Sequence, residues 1–164
     1  MQTFMTYPSF YDSLKSLDNK RLGKQRVEAK QILNVLLNRP RKDGEPYKGW
    51  LNHPCVRMWR GYENALKEYF NISLMVWEER GFKNNMEVEE HNGCVPLPDW
   101  INNPVFYLSH RANLLRKDYD FYSKYGWQDE VSPNEPYAWL DENGNWYLQY
   151  SGSDSVTYLD STYA

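Results

Sequence analysis

One short stretch of the sequence, RLGKQRVE at residues 21–28, concentrates side chains suited to acid–base chemistry. On an α-helix, Arg21 lies about 20° and Lys24 about 40° from Glu28, one on each side of it. A carboxylate between two cations can serve as an acid or a base, or stabilise a developing positive charge. The same spacing also fits an ordinary glutamate paired with two cations, and this pattern alone leaves both interpretations open.

The face of the helix that carries Glu28 changes character along its length. Gln25 lies about 60° from Glu28, and the face continues through the apolar residues Ile32 and Val35. It therefore begins basic, passes one carboxylate and ends apolar. We expect Glu28 at the boundary between a basic opening and the hydrophobic core, with Gln25 among the residues that contact the substrate.

Two further groups of polar residues are candidates for binding phosphate. His53 precedes Pro54 at the start of a predicted helix, and a helix N-terminus with arginines one turn in favours phosphate binding. These arginines are Arg57 and Arg60. The next predicted helix carries the remaining candidates, His110, Arg111 and Arg116. They fit nucleic-acid contacts, or a packed helix with surface cations.

The sequence predicts no metal and no cofactor. The three histidines lack the spacing of a metal site, and two cysteines form neither a four-ligand zinc site nor a disulfide framework. No phosphate-binding glycine motif is present.

Charge is distributed unevenly. Residues 1–60 contain 12 Lys/Arg and five Asp/Glu, whereas residues 61–164 contain seven and 17. A basic first third on a chain of net charge −3 indicates one localised site for a polyanion. The acidic remainder argues against strong, indiscriminate binding of nucleic acid.

The predicted fold class is mainly α, a compact single domain of about three principal helices with long loops and a short C-terminal β-hairpin. A length of 164 residues suits one domain, and seven Trp, 14 Tyr and six Phe supply much of the burial. Apolar periodicity and Pro and Gly breakers predict helices over residues 18–38, 55–80 and 104–117, the last with an extension toward Tyr125. Asn143-Gly144 predicts a hairpin with a type I′ turn. Without an apolar run of 18 residues or a signal peptide, we expect a cytoplasmic protein.

The second predicted helix has an aromatic face, which is more typical of a core than of a ligand site. Its members are Trp59, Tyr62, Leu66, Tyr69, Ser73 and Trp77. Trp50 and Trp59 have rings that can stack on nucleobases, but we expect both in the core.

Several of these segments resemble one enzyme family. LDNKRLGKQRVEAKQIL, residues 17–33, resembles the catalytic helix of the pyrimidine-dimer DNA glycosylases, the endonuclease V-type excision enzymes, and Glu28 falls on their catalytic glutamate. ERGF at 79–82 and LSHRANLLRKD at 108–118 resemble later helices of the family. With MQTF, NHPCVRMWRGYE and PYAW, the pattern is similar to a bacterial and phage branch over residues 1–140.

The resemblance implies a DNA N-glycosylase of DNA repair, with a pyrimidine dimer as the family substrate, and no cofactor. In the family, the N-terminal α-amine attacks C1′ of a damaged nucleotide, the base leaves, and β-elimination nicks the strand. The glutamate stabilises positive charge on the sugar. Arginines on the first helix hold the flanking phosphates of the DNA, where a nucleotide is flipped out.

The sequence departs from the family pattern near its start. Gln2 follows Met1, and because a large second residue protects the initiator methionine, the amine would belong to Met1. The stretch before Glu28 is several residues longer, and Val27 stands where the family has an arginine. Either the loop at residues 7–12 absorbs the extra length, or Glu28 activates water and gives a glycosylase without strand cleavage.

Two other functions stay open. The acidic net charge fits an N-glycosidase of free modified nucleosides or nucleotides, and the altered start fits a non-catalytic nucleic-acid- or protein-binding module. We expect a glycosylase-like α domain over residues 1–140, with residues 141–164 as a hairpin and tail packed on it. Nothing in the sequence marks a membrane or an obligatory protein partner.

Overall fold

The computed structural model describes residues 1–46, 50–150 and 153–160, and it is mainly helical. The helices are α1 Phe10–Lys15, α2 Asn19–Leu36, α3 Pro54–Trp59, α4 Glu63–Glu79, α5 Pro104–Lys117 and α6 Tyr119–Tyr122. Three 3-10 turns lie at Asp99–Asn102, Ser123–Tyr125 and Trp127–Asp129. Strands β1 Tyr137–Leu140, β2 Trp146–Gln149 and β3 Val156–Tyr158 form an antiparallel sheet in that order. The predicted mainly α class with long loops and C-terminal strands is confirmed.

The chain forms two compact units. The first contains Met1–Phe4 and Ser9–Pro98, and in it α1 and α2 pack against α4 while α3 contacts α2. The second contains Met5–Pro8 and Asp99–Ala164, and in it α5 packs against β1 and α6. The predicted division between residues 1–140 and 141–164 stays a prediction. No helix in the described parts of the chain has the length and apolar character needed to cross a membrane.

Helix α2 forms where the apolar spacing predicts it. Its buried residues Leu22, Ala29 and Leu33 face the core of the first unit. Asp18 occupies the N-cap position but makes no side-chain capping bond; its carboxylate pairs with Arg21 at 3.2 Å. The resulting 18-residue helix gives Glu28 a rigid support.

The prediction of a single helix over residues 55–80 is wrong, because the helix is interrupted between α3 and α4. Arg60 is extended, with ψ of 127°, and Gly61 has φ of 90°. Neither angle fits an α-helix, and glycine adopts positive φ with little strain. The core role expected for the aromatic face holds for Trp59 and Tyr69, which are fully buried.

Helix α5 starts where Asn103-Pro104 predicts it. The Asn103 side chain accepts from the Val105 amide at 3.0 Å, and Pro104 occupies the first turn, where its missing N–H costs nothing. The predicted extension toward Tyr125 is not one helix, because Asp118 has φ of −154° and begins the separate helix α6.

The predicted hairpin is present, but its turn differs. A type I′ turn needs positive φ at both central residues, whereas Gly144 has φ of 80° and Asn143 is not left-handed. The Asp141 carboxylate accepts from the Asn143 and Asn145 amides, each at 2.9 Å, which favours a longer loop. Beyond it, Val156–Tyr158 adds a third strand to the hairpin.

Candidate active site

Gln25 connects α2 to the start of the chain. It is 1% exposed, and its Oε1 accepts from the Phe4 amide at 2.9 Å and from the Tyr69 hydroxyl at 2.6 Å. Its Nε2 donates to the Gln2 carbonyl at 2.9 Å and to Glu28 Oε2 at 3.1 Å. A side-chain amide has two donor and two acceptor positions, so all four are used inside the first unit. The surroundings of Gln25 therefore leave no group for the substrate contact that the sequence predicts.

The N-terminal residue lies beside Glu28. The backbone amide of Gln2 donates to Glu28 Oε2 at 3.4 Å. Since the amide nitrogen of one residue is at most about 3.6 Å from that of the next, the Met1 nitrogen lies within roughly 7 Å of this oxygen. Glu28 is half-buried. The two residues predicted as catalytic are therefore close together, and the extra residues before Glu28 do not separate them.

His53 adjoins the same end of the chain. Its Nδ1 accepts from the Cys55 amide at 3.1 Å, which caps α3 and leaves the ring proton on Nε2. Burial, and after it the positive charge of the Met1 amino group, lower the pKa of His53 to about 4. The imidazole is therefore neutral at physiological pH, and it lies within electrostatic range of the Met1 amine.

Cys55 is not a nucleophile in this arrangement. Its thiol is buried, 3.4 Å from the Thr3 hydroxyl, and burial raises its pKa to about 11. The thiolate is the reactive form of cysteine, and very little of it exists at neutral pH under these conditions.

Hydrogen bonds to Thr3 and Phe4 complete the anchoring of the segment, and the sequence does not predict them. Trp59 Nε1 donates to Thr3 Oγ1 at 2.8 Å. The Tyr69 hydroxyl has one proton, which Gln25 Oε1 shares with the Phe4 carbonyl at 2.9 Å. Both rings belong to the face predicted as core, and they also serve as donors. The one available signal is that Gln2, Thr3 and Thr6 are polar residues among the aromatic and apolar side chains of residues 1–7.

The basic candidates of the first unit lie toward solvent. Arg21 is half-buried and paired with Asp18, whereas Lys24, Arg57 and Arg60 are exposed. Glu28 thus has a cation one turn away on its own helix, and two more extend from α3 and its end. This distribution suits contact with the phosphates of a polyanion.

The candidates on α5 are held inside the second unit. His110 is fully buried; its Nδ1 accepts from the Met5 amide at 2.8 Å, and burial lowers its pKa to about 3. Arg111 is 8% exposed and donates from Nε to the Thr6 carbonyl at 2.8 Å. The burial of His110 matches the alternative interpretation of α5 as a packed helix, whereas Arg111 is not the surface cation which that interpretation expects.

The other contacts of this helix are also internal. Arg111 Nη1 pairs with Glu130 at 2.6 Å, and its guanidinium lies 4.6 Å from the ring centre of Tyr7. Arg116 is exposed and donates to the Pro133 carbonyl at 2.8 Å, which fastens the loop before β1. Across residues 1–46, 50–150 and 153–160, no three His, Cys, Asp or Glu side chains are grouped as a metal site requires.

Comparison with known protein families bears on this arrangement. The family model described as pyrimidine dimer DNA glycosylase matches residues 1–90, which is more than half of the chain. The chain belongs to this family. Membership in the pyrimidine dimer DNA glycosylase family makes it an enzyme whose substrate class is DNA. The match includes Glu28 and the N-terminal segment anchored beside it. Searches among curated proteins and among solved structures gave no match.

Proposed function

We propose that this member of the pyrimidine dimer DNA glycosylase family is a DNA N-glycosylase with AP-lyase activity. In a chain that starts at Met1, the amino group of Met1 is the nucleophile and Glu28 is the catalytic carboxylate. The observation that supports this assignment is the 3.4 Å approach of the Gln2 amide to Glu28 Oε2. It limits the distance from the Met1 amine to this carboxylate oxygen to roughly 7 Å, and imine-forming glycosidic cleavage needs these two groups.

The reaction follows from these two groups. The neutral amine gives its electron pair to C1′ while the C1′–N bond breaks, and the base leaves with that bonding pair and takes up a proton. The amine then passes a proton to the ring oxygen O4′, the C1′–O4′ bond breaks, and the nitrogen electron pair forms a protonated imine with C1′. Loss of a proton from C2′ expels the 3′ phosphate and cuts the strand. The negative charge of Glu28 stabilises positive charge at C1′ and at the imine nitrogen.

Gln25 acts in this proposal as a positioning residue and not as a DNA contact. Its Nε2 donates both to Glu28 and to the Gln2 carbonyl, so one amide fixes the carboxylate relative to the backbone beside the nucleophile. Holding reacting groups in place in advance lowers the entropic part of the barrier.

Lys24, Arg57 and Arg60 bind phosphates on either side of the reacting nucleotide in this proposal. Their exposure in the first unit supports the assignment. Arg21 is a further contact, provided that DNA competes with Asp18 for its guanidinium. Because C1′ of a stacked nucleotide is shielded in a duplex, the nucleotide must turn out of the stack to reach Glu28.

Borohydride trapping on duplexes with an abasic site or a pyrimidine dimer tests the function. We expect a covalent adduct that mass spectrometry maps to Met1, and we expect Glu28→Gln to abolish it without loss of DNA binding. Glu78→Gln is the matched control, because Glu78 is an exposed glutamate on α4. A Gly-Ser extension before Met1 should also prevent trapping.

Other outcomes point to other functions. Alkali-labile sites without an adduct would indicate a glycosylase without lyase activity, in which Glu28 activates water. Hydrolysis of free nucleotides without binding to oligonucleotides would indicate a nucleosidase. Full activity of Glu28→Gln would reject the catalytic role of this residue.

A further inference from the structure

Two consecutive large apolar side chains are exposed just before α3. Trp50 is 40% exposed and Leu51 is 41% exposed. The core position expected for Trp50 is therefore wrong, whereas Trp59 is buried as expected. Single exposed apolar residues are ordinary on protein surfaces. Here two exposed apolar side chains follow each other on one turn, and we call this pair the Trp50–Leu51 tip.

The backbone that carries this tip is fixed. The His53 amide donates to the Trp50 carbonyl at 3.0 Å and closes the turn, and Arg60 Nη2 lies 3.4 Å from the Leu51 carbonyl. The Trp50 ring meets the His53 ring edge to face, with centres 5.8 Å apart. Since His53 also caps α3, the tip stands on a helix terminus and not on an unsupported loop.

The tip adjoins the proposed reaction site. His53 contacts the Trp50 ring and accepts from the Cys55 amide, and the Cys55 thiol lies 3.4 Å from the Thr3 hydroxyl. The residue after Met1 reaches Glu28. A continuous series of neighbours thus leads from the exposed indole to the carboxylate, all within the first unit.

The charges around the tip indicate which partner it meets. Arg57 and Arg60 are exposed on α3 and at its end, within ten residues of Trp50 in the chain. An apolar tip beside exposed guanidinium groups complements a nucleic-acid duplex, in which stacked bases lie between rows of phosphates.

We propose that Trp50, supported by Leu51, inserts into the DNA base stack at the reacting nucleotide and occupies the space which that nucleotide leaves. This inference rests on the proposed function, because a nucleotide that turns toward Glu28 leaves a gap in the duplex. Unstacking costs free energy, and an inserted apolar side chain recovers part of it by stacking on the neighbouring base.

Photocrosslinking tests insertion without any catalysis. The DNA is a duplex with a tetrahydrofuran abasic analogue, which has no base to release and forms no imine. The nucleotide beside the analogue carries 5-iodouracil as its base. We expect irradiation to join the iodouracil to Trp50, as mapped by peptide mass spectrometry, and Trp50→Ala to remove this product. Crosslinks only to other residues, or none at all, would overturn the proposal.

Cleavage rates provide a second test. Trp50→Ala should slow adduct formation on an abasic duplex by about tenfold, and on the same site in single-stranded DNA by less than about twofold, because single strands have little stacking to replace. Trp50→Phe should restore most of the duplex rate. Val88→Ala is the control, since Val88 is 64% exposed in an acidic stretch of the same unit.

The two tests separate this inference from the proposed function. If the wild-type protein crosslinks through Trp50 but never forms an imine, insertion stands and the lyase assignment fails. If the wild-type protein forms the imine but Trp50→Ala slows both DNA forms equally, or neither, the lyase assignment stands and insertion fails. Leu51→Ala gives an independent variant, with a smaller loss expected on duplex DNA only.

Discussion

The side-chain amide of Gln25 donates a 3.1 Å hydrogen bond to the carboxylate of Glu28, one turn further along α2. The same nitrogen donates to the Gln2 carbonyl, while the amide oxygen accepts from Phe4 and Tyr69. One buried amide therefore links the carboxylate to the backbone of residues 2–4. The orientation of Glu28 and the position of the chain start depend on the same side chain.

Replacing Gln25 should affect stability and catalysis together. Gln25→Ala leaves the Phe4 amide and the Gln2 carbonyl without their buried partner, so we expect a loss of roughly 3 kcal/mol in the free energy of unfolding. Urea titration measures this loss, and borohydride trapping under single-turnover conditions should slow while the DNA dissociation constant stays unchanged. Tyr69→Phe is a milder variant, with a loss of about 1 kcal/mol. Unaltered trapping by Gln25→Ala would contradict the positioning role.

Substitutions of exposed and of buried arginines should differ in their effect on the salt dependence of DNA binding. Each of Arg57→Gln and Arg60→Gln should reduce the slope of log binding constant against log salt concentration by about one, since each removes one phosphate contact. Arg111→Gln should leave that slope unchanged and lower the melting temperature, because Arg111 pairs with Glu130 inside the second unit. Fluorescence anisotropy at several salt concentrations gives the slopes. A reduced slope for Arg111→Gln would show that this residue reaches DNA.

His110 should make the protein less stable in acid. Its pKa is lowered to about 3 in the folded protein, against about 6.5 when unfolded, so the unfolded chain binds the extra proton between these values. The stabilising contribution is complete above about pH 6.5 and is lost as the pH falls toward 3, at about 1.4 kcal/mol per pH unit.

Urea unfolding of His110→Asn between pH 4 and 7 checks this expectation. The asparagine oxygen can still accept from the Met5 amide, but it does not titrate. The variant should show a shallower acid dependence than the wild-type protein. It should not be flat, because His53, with a pKa lowered to about 4, titrates in the same direction. Parallel curves for the two proteins would rule out His110 as a source of acid sensitivity.

The break between α3 and α4 should be sensitive to Gly61. This residue has φ of 90°, and a Cβ there would meet no atom within 4 Å, so alanine costs only backbone strain. We expect Gly61→Ala to lower the free energy of unfolding by about 1 kcal/mol. A gain in stability would mean that the chain prefers one continuous helix.

The sequence predicts the parts of this protein that depend on local rules. The apolar spacing of α2 and the Asn103-Pro104 start of α5 locate two helices closely, because capping and periodicity act over a few residues. The break at Gly61 was missed because an isolated glycine is compatible with either a helix or its end.

The candidate site is predictable in part. The spacing on α2 identifies Glu28 and places Gln25 near it. The partners of Gln25 are backbone groups of residues 2 and 4, and a backbone group has no signature in the sequence. For the same reason the burial of His110 and Arg111 was missed, since their partners are the Met5 amide and the Thr6 carbonyl.

The hydrogen bonds of residues 3–5 also affect the order in which the protein folds during synthesis. Thr3, Phe4 and Met5 find their hydrogen-bonding partners at Trp59, Tyr69 and His110, which the ribosome adds much later. Residues 3–5 are therefore translated before these partners, and such distant pairings slow folding. Until Tyr69 has been translated, the Phe4 carbonyl lacks this hydrogen-bond donor. The enzyme gains its reactive geometry only after the core that holds it has been made.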